Sequence, residues 1–248
     1  MSGRKLPHRM TAVIRSLTTA RDTYLITRDP DDRILSGEQW SKLDDANPQS
    51  FFSRLLQAQR QVQIALADQG RITVQLLAAA EELRLFISHF HQVLDLGILR
   101  RSFGAGARAY YGRDVSGQRL PALGTYDALE TAADKIVTGE AARQTAEGAA
   151  YRPMSLPSAA EVADRLGPFR ALRTQSGHAL TRSDLQREAL AAFLPEAKAL
   201  AKDIAQTAAF AYRKDPDASS RRAKCRRWGV VYRESKKAVA PPDAKPGE

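Results

Sequence analysis

Apolar residues recur at steps of three and four positions along almost the whole chain, which is the spacing of one face of an α-helix. The clearest example runs from Ile72 to Ile98 and includes Leu83, Phe90 and Leu94. No segment combines sustained alternation of apolar and polar residues with flanking turn residues, the pattern of a β-strand. The sequence therefore predicts an all-α fold, a bundle of four to five long antiparallel helices with short accessory helices.

Capping residues, proline and glycine predict where these helices begin and end. Ser36 and Gln39 have the spacing of a capping box before a short helix over 37–44, and Ser158 with Glu161 opens a later helix. Gly70 is predicted to separate two long helices that pair as an antiparallel hairpin. The predicted helices cover residues 7–27, 37–44, 52–69, 72–101, 125–148 and 217–229, and two more begin near residues 158 and 194.

Residues 102–124 interrupt the helical pattern with five glycines and Pro121, and they are predicted to form one long glycine-rich loop. A structureless segment longer than about 12–15 residues is uncommon in a compact domain and is usually functional or disordered. Two interpretations of the adjacent Tyr110 and Tyr111 are open. They form a recognition surface with Arg108 and Arg113, or they fold back over the bundle with hydrogen-bonded hydroxyls, which is the interpretation we favour.

The chain of 248 residues, 43% of them hydrophobic, is long enough for one large domain or two small ones. We predict one domain over residues 1–234 and a disordered tail over 235–248. The longest stretch without a charged residue, 85–94, has ten residues, whereas a membrane-spanning helix needs about 20. The chain has no signal-peptide pattern and a single cysteine, Cys225, so we expect a cytoplasmic location.

The net charge of +10 comes mainly from two segments, because the rest of the helical body is neutral and residues 238–248 contribute −1. Residues 100–119 carry a charge of +4 and residues 213–237 carry +7, and both segments contain aromatic residues. Basic side chains neutralise phosphates and exposed rings stack on unpaired bases, so this composition is typical of polyanion-binding surfaces. The candidate partner- or anion-binding residues are Arg100, Arg101, Arg108, Tyr110, Tyr111, Arg113, Arg221, Arg222, Lys224, Arg226, Arg227 and Trp228.

A structural role is the interpretation we favour for the C-terminal basic helix, predicted over about 217–229, and binding of a nucleic acid or another anionic partner is the alternative. In the structural interpretation Cys225 and Trp228 pack on the bundle while the neighbouring basic side chains stay in water.

Familiar catalytic and cofactor motifs are missing from the sequence. None of the four histidines follows a glutamate by three positions, as a ferritin-like di-iron site requires, and His91 with Asp95 lacks a third ligand. The Gly-Lys dipeptide of a Walker A loop and the Gly-x-Ser-x-Gly elbow are also missing. We therefore expect no metal, no cofactor and no enzymatic activity.

Three functions fit these observations. The favoured one is a non-enzymatic binding or assembly protein that contacts a protein partner through its basic segments, with the alanine-rich residues 197–211 as the candidate face for a homo-oligomer. The alternative is nucleic-acid binding by the same two basic segments. The third is a small-molecule site under the tyrosine loop, near His89 and His91.

Overall fold

The computed structural model describes residues 8–27, 32–116 and 120–232, and every regular element in these ranges is helical. The predicted all-α class is therefore confirmed for this part of the chain. Its α-helices are α1 (His8–Ile26), α2 (Gly37–Leu43), α3 (Phe51–Leu99), α4 (Ala107–Tyr110), α5 (Tyr126–Glu147), α6 (Ala159–Ala192), α7 (Leu194–Ala211) and α8 (Ala218–Arg227), and a 3-10 turn covers Gly148–Ala150.

The chain divides into two compact units. The first contains residues 1–62 and 186–248, and the second contains residues 63–185. Helices α3 and α6 each contribute residues to both units. The single domain over 1–234 stays a prediction, and the predicted tail over 235–248 lies outside the described residues.

Helix α3 is longer than the sequence predicted. Its 49 residues run without interruption through Gly70, so the predicted helix break and the antiparallel hairpin at this glycine are wrong. A glycine in a helix interior costs only about 1 kcal/mol relative to alanine, which the flanking helical turns outweigh. Gly70 is exposed and a Cβ there would meet open space, so neither a turn nor a close contact requires it.

In the first unit, α1 packs against α2, α7 and α8. The predicted capping box of Ser36 and Gln39 is present at the start of α2. The Gln39 side-chain amide also donates hydrogen bonds to Asp203 Oδ2 at 2.6 Å and to Thr207 Oγ1 at 2.9 Å, and these bonds attach α2 to α7.

The alanine-rich face of α7 belongs to the core of this unit. Ala197, Leu200, Ile204 and Ala208 are all buried, and the helix packs on α1. The prediction that this face meets a second copy is therefore wrong for these side chains, because the chain itself covers them. Sequence periodicity identified an apolar face correctly but could not identify what packs against it.

The second unit has a core drawn from α3, α5, α6 and the segments between them. Leu83, Ile87 and Phe90 of α3 contribute to this core, and Tyr111 joins it from the segment after α3. On its surface, Arg170 and Arg173 of α6 form ion pairs with acidic side chains of α5, including Glu130. The predicted capping box of Ser158 and Glu161 opens α6.

Candidate functional site

Helix α8 is held at both ends. At its start, the Asp217 carboxylate accepts hydrogen bonds from the backbone N–H groups of Ser219 at 3.0 Å and Ser220 at 2.8 Å. After its last turn, Gly229 has φ +79° and lies so close to the Ser16 carbonyl of α1 that a Cβ would clash with it. The Ser16 hydroxyl donates to the Gly229 carbonyl at 2.6 Å. A glycine is therefore required where α8 ends against α1.

One face of α8 and the residue that follows it are buried. Cys225 is 1% exposed and Trp228 is 2% exposed, and the Trp228 indole N–H donates to the Tyr212 hydroxyl at 2.9 Å. These two side chains pack as the structural interpretation of the C-terminal segment predicted. The Trp228 ring is consequently covered and is not available for stacking on a base.

The exposed surface of α8 displays cations. Arg222, Arg226 and Arg227 are exposed, and none has a carboxylate within ion-pair distance among the described residues. Lys224 pairs with Asp215 at 2.8 Å, and this hydrogen bond lowers the pKa of Asp215 and raises that of Lys224. Three arginine charges are thus left facing solvent on one short helix.

A groove of about 770 Å³ lies beside this basic face and combines cationic, aromatic and hydroxyl groups. The Thr23 hydroxyl of α1 donates a hydrogen bond to the Arg227 carbonyl and fixes one wall of the groove. The groove is lined by Thr23, Ile26, Thr27, Asp32, Tyr212, Lys224, Arg227 and Trp228. Sequence reasoning missed the contribution of α1, because its threonines carry no motif and meet α8 only through folding.

Two exposed aromatic rings each carry an arginine, one ring on α7 and the other after the end of α8. The Arg213 guanidinium lies 3.6 Å from the centre of the Phe210 ring, and the Arg226 guanidinium lies 5.8 Å from that of Tyr232. Such cation–π pairs hold a guanidinium over a ring while leaving its N–H groups able to contact an anion.

The first basic segment is arranged differently, because Asp95 of α3 neutralises two of its arginines. Arg108 Nε lies 2.8 Å from Asp95 Oδ1 and Arg113 Nη1 lies 2.9 Å from Asp95 Oδ2. The side chains of Arg108 and Arg113 are only 12% and 2% exposed. These two predicted anion-binding residues therefore serve the packing of their own segment, whereas Arg100 and Arg101 are exposed.

Tyr110 and Tyr111 of this segment lie in different environments. Tyr111 is buried, donates its hydroxyl hydrogen to Glu140, and accepts a hydrogen bond from Arg143 Nε at 2.7 Å. The folded-back arrangement that we favoured is thus confirmed for Tyr111, while Tyr110 remains partly exposed. The segment is also not a loop throughout, since α4 lies within it.

A buried polar network around Arg143 was not anticipated from the sequence. The Arg143 guanidinium donates to Glu140, Glu147 and the Arg152 carbonyl. Burial raises the pKa of Glu140, but hydrogen bonds from the hydroxyls of Tyr111 and Tyr151, from the Met154 N–H and from Arg143 together outweigh burial and leave this pKa lowered. Burial together with Glu140 raises the pKa of Tyr151 to about 12. Each of these groups has partners, so the network has a structural role.

His91 lies in the interior of the second unit, and its ring nitrogens have no hydrogen-bond partner among the described residues. Burial and the positive charge of Arg113 lower its pKa to about 4, against the opposing effect of Asp95. Within the described ranges, no three His, Cys, Asp or Glu side chains come together as metal ligands would.

No protein-family model, curated protein or solved structure matches the chain. No helix in the described part of the chain has both the length and the apolar character of a membrane span.

Proposed function

We propose that this helical protein is a non-enzymatic binding protein. It binds single-stranded nucleic acid on the basic face of α8, which is formed by Arg222, Arg226 and Arg227. The observation that carries the proposal is the exposure of Arg222, Arg226 and Arg227 without a carboxylate partner in the described structure. Unpaired arginines bind phosphate strongly, because each releases condensed counterions from the nucleic acid. Guanidinium groups also match phosphate oxygens in a bidentate geometry.

The surroundings of α8 favour a single strand over a duplex. Phe210 is 65% exposed, and Tyr232 also presents part of its ring. Unpaired bases stack on exposed aromatic rings, while the stacked bases of a duplex are not available for such contacts. The groove beside Lys224 and Arg227 offers hydroxyl groups next to the phosphate contacts, and its lining also includes the Asp32 carboxylate.

Fluorescence anisotropy of a labelled oligonucleotide tests this proposal, with single- and double-stranded forms at about 50 mM and about 200 mM salt. The test variant carries Arg222→Ala, Arg226→Ala and Arg227→Ala. We expect it to bind the single strand at least about tenfold more weakly than the unmodified protein at the lower salt concentration, with a salt slope reduced by about 2, since each phosphate contact on a single strand contributes about 0.7.

The control variant carries Arg54→Ala, Arg60→Ala and Arg182→Ala, which remove the same charge from exposed positions elsewhere. We expect it to bind like the unmodified protein. The proposal is wrong if the unmodified protein does not bind either form at low salt, or if the two variants lose affinity equally. Equal loss would indicate an effect of net charge rather than a site on α8.

A further inference from the structure

Helix α3 has an apolar surface that its own unit leaves uncovered. Its part within residues 63–185 carries six large aliphatic side chains that are at least 48% exposed. Ile64 lies apart from the other five, which are Val74, Leu77, Leu85, Leu96 and Leu99. Single exposed aliphatic residues are common on proteins, but several on one face of a helix are characteristic of an interface. Between these five side chains, Glu81, Ser88 and Gln92 lie on the same face.

These side chains share one face of the helix. At about 100° per residue they fall within an arc of about 100°, roughly opposite the buried Leu76, Leu83 and Leu94. At about 1.5 Å per residue, the strip from Val74 to Leu99 is about 38 Å long. It is one helix wide, which is about 10 Å, so its footprint is about 400 Å² and within the size range of functional patches.

The strip is arranged symmetrically about the point between residues 86 and 87. Val74 and Leu99 are equally distant from this midpoint, and so are Leu77 and Leu96. If a two-fold axis passes through it, an antiparallel second copy of α3 places Val74 opposite Leu99 and Leu77 opposite Leu96, whereas Leu85 lies opposite Ser88. The polar positions correspond as well, since Glu81 is opposite Gln92, whose side-chain amide can donate to a carboxylate.

A groove at one end of the strip matches this arrangement. It has a volume of about 540 Å³ between α3 and α4, and Leu96 and Leu99 form part of its wall beside Arg108. The same symmetry brings Leu77 and Val74 of a second copy to Leu96 and Leu99. Each copy therefore offers a groove at one end and two projecting aliphatic side chains at the other.

We propose that the protein forms an isologous dimer in which the exposed strip of α3 packs antiparallel against the same strip of a second copy. The footprint is smaller than the about 800 Å² per partner of a standard interface, so we expect a reversible dimer that dissociates in the micromolar range. This inference is independent of nucleic-acid binding, because it uses other residues in the other unit.

Sedimentation equilibrium of the full chain from about 1 to about 200 µM tests the dimer. We expect reversible monomer–dimer association, weakened at least about tenfold by Leu77→Lys, which places a charge in the strip. The matched control is Leu180→Lys on α6, because Leu180 is exposed to a similar extent outside the strip. This control should associate like the unmodified protein.

The antiparallel register is tested by mixing two variants. Leu77→Lys and Leu96→Glu chains should each associate poorly alone, and a mixture of them should associate again because the new charges face each other in the dimer. The proposal is overturned if the unmodified protein is monomeric at all these concentrations, or if Leu180→Lys disrupts association as much as Leu77→Lys does. It is also overturned if mixing fails to restore association, or if the strip binds lipid vesicles while the protein stays monomeric.

Discussion

The two arginine-rich segments of this protein differ in how many of their arginines are neutralised, although Arg100 and Arg101 of the first segment are exposed. In residues 100–119, Asp95 of the neighbouring helix engages Arg108 and Arg113 and holds them against the protein. In α8, Asp215 engages Lys224, and three arginines remain exposed with no carboxylate nearby in the described structure. The availability of a basic segment for binding is therefore determined by the acidic groups that folding brings to it, not by its own charge.

Replacing Asp95 and replacing Asp215 should have very different effects on the stability of the protein, and this is the largest difference that we expect between the two segments. We expect Asp95→Ala to destabilise the protein by about 3 kcal/mol, because it leaves two largely buried guanidinium groups without their anion. Asp215→Ala is the matched control. Its loss of stability should be smaller, since Lys224 is solvated and the other two donors to the Asp215 carboxylate, the Ser220 hydroxyl and the Asp217 N–H, carry no charge. Urea denaturation of both variants measures the difference, and equal destabilisation would contradict the comparison.

The pH dependence of stability should give a second test of the first segment, because His91 lies near the Arg113–Asp95 pair and resists protonation. Its pKa of about 4 is below the ordinary value of 6.5, so the unfolded chain binds more protons between these two pH values. Stability should therefore fall as the pH decreases from about 6.5 to about 4, with a contribution from His91 of up to about 3 kcal/mol.

Denaturation curves across this pH range should show that His91→Leu removes this part of the pH dependence. His89→Leu is the control, because His89 is exposed two positions away on the same helix. Other groups that titrate in this range are common to both variants. An unchanged pH dependence in His91→Leu would show that His91 is not the group responsible.

The positions of the exposed arginines on α8 should depend on the close approach between the C-terminal end of α8 and α1. Gly229→Ala introduces a Cβ against the Ser16 carbonyl at a positive φ, so we expect a loss of about 2 kcal/mol and weaker oligonucleotide binding. Gly70→Ala is the opposite case, because its helical position is open and exposed, and it should stabilise the protein by up to about 1 kcal/mol. Thermal unfolding of both variants tests these opposite signs, and stabilisation by Gly229→Ala would contradict the account.

Local patterns in the sequence predicted much of the fold. Capping boxes at Ser36 and Ser158 were correct because they depend on hydrogen bonds within four residues. The break at Gly70 was wrong because a local preference of about 1 kcal/mol does not decide the course of a long helix.

The candidate site was only partly predictable, since its properties depend on residues far apart in the chain. The sequence identified the basic residues of α8, and the packing of Cys225 and Trp228 followed from their spacing. It could not show that Asp95 neutralises Arg108 and Arg113, or that Thr23 of α1 borders the groove beside Arg227. These relations are created by tertiary packing and leave no local pattern.

The contrast between the two segments is tested most directly by chemical labelling of arginine, measured by mass spectrometry with and without a saturating single-stranded oligonucleotide. We predict that Arg222, Arg226 and Arg227 react in the free protein and are protected by the oligonucleotide, while Arg108 and Arg113 react little in either case. The account would be contradicted if the α8 arginines stayed equally reactive with the oligonucleotide bound, or if protection appeared instead at Arg100 and Arg101.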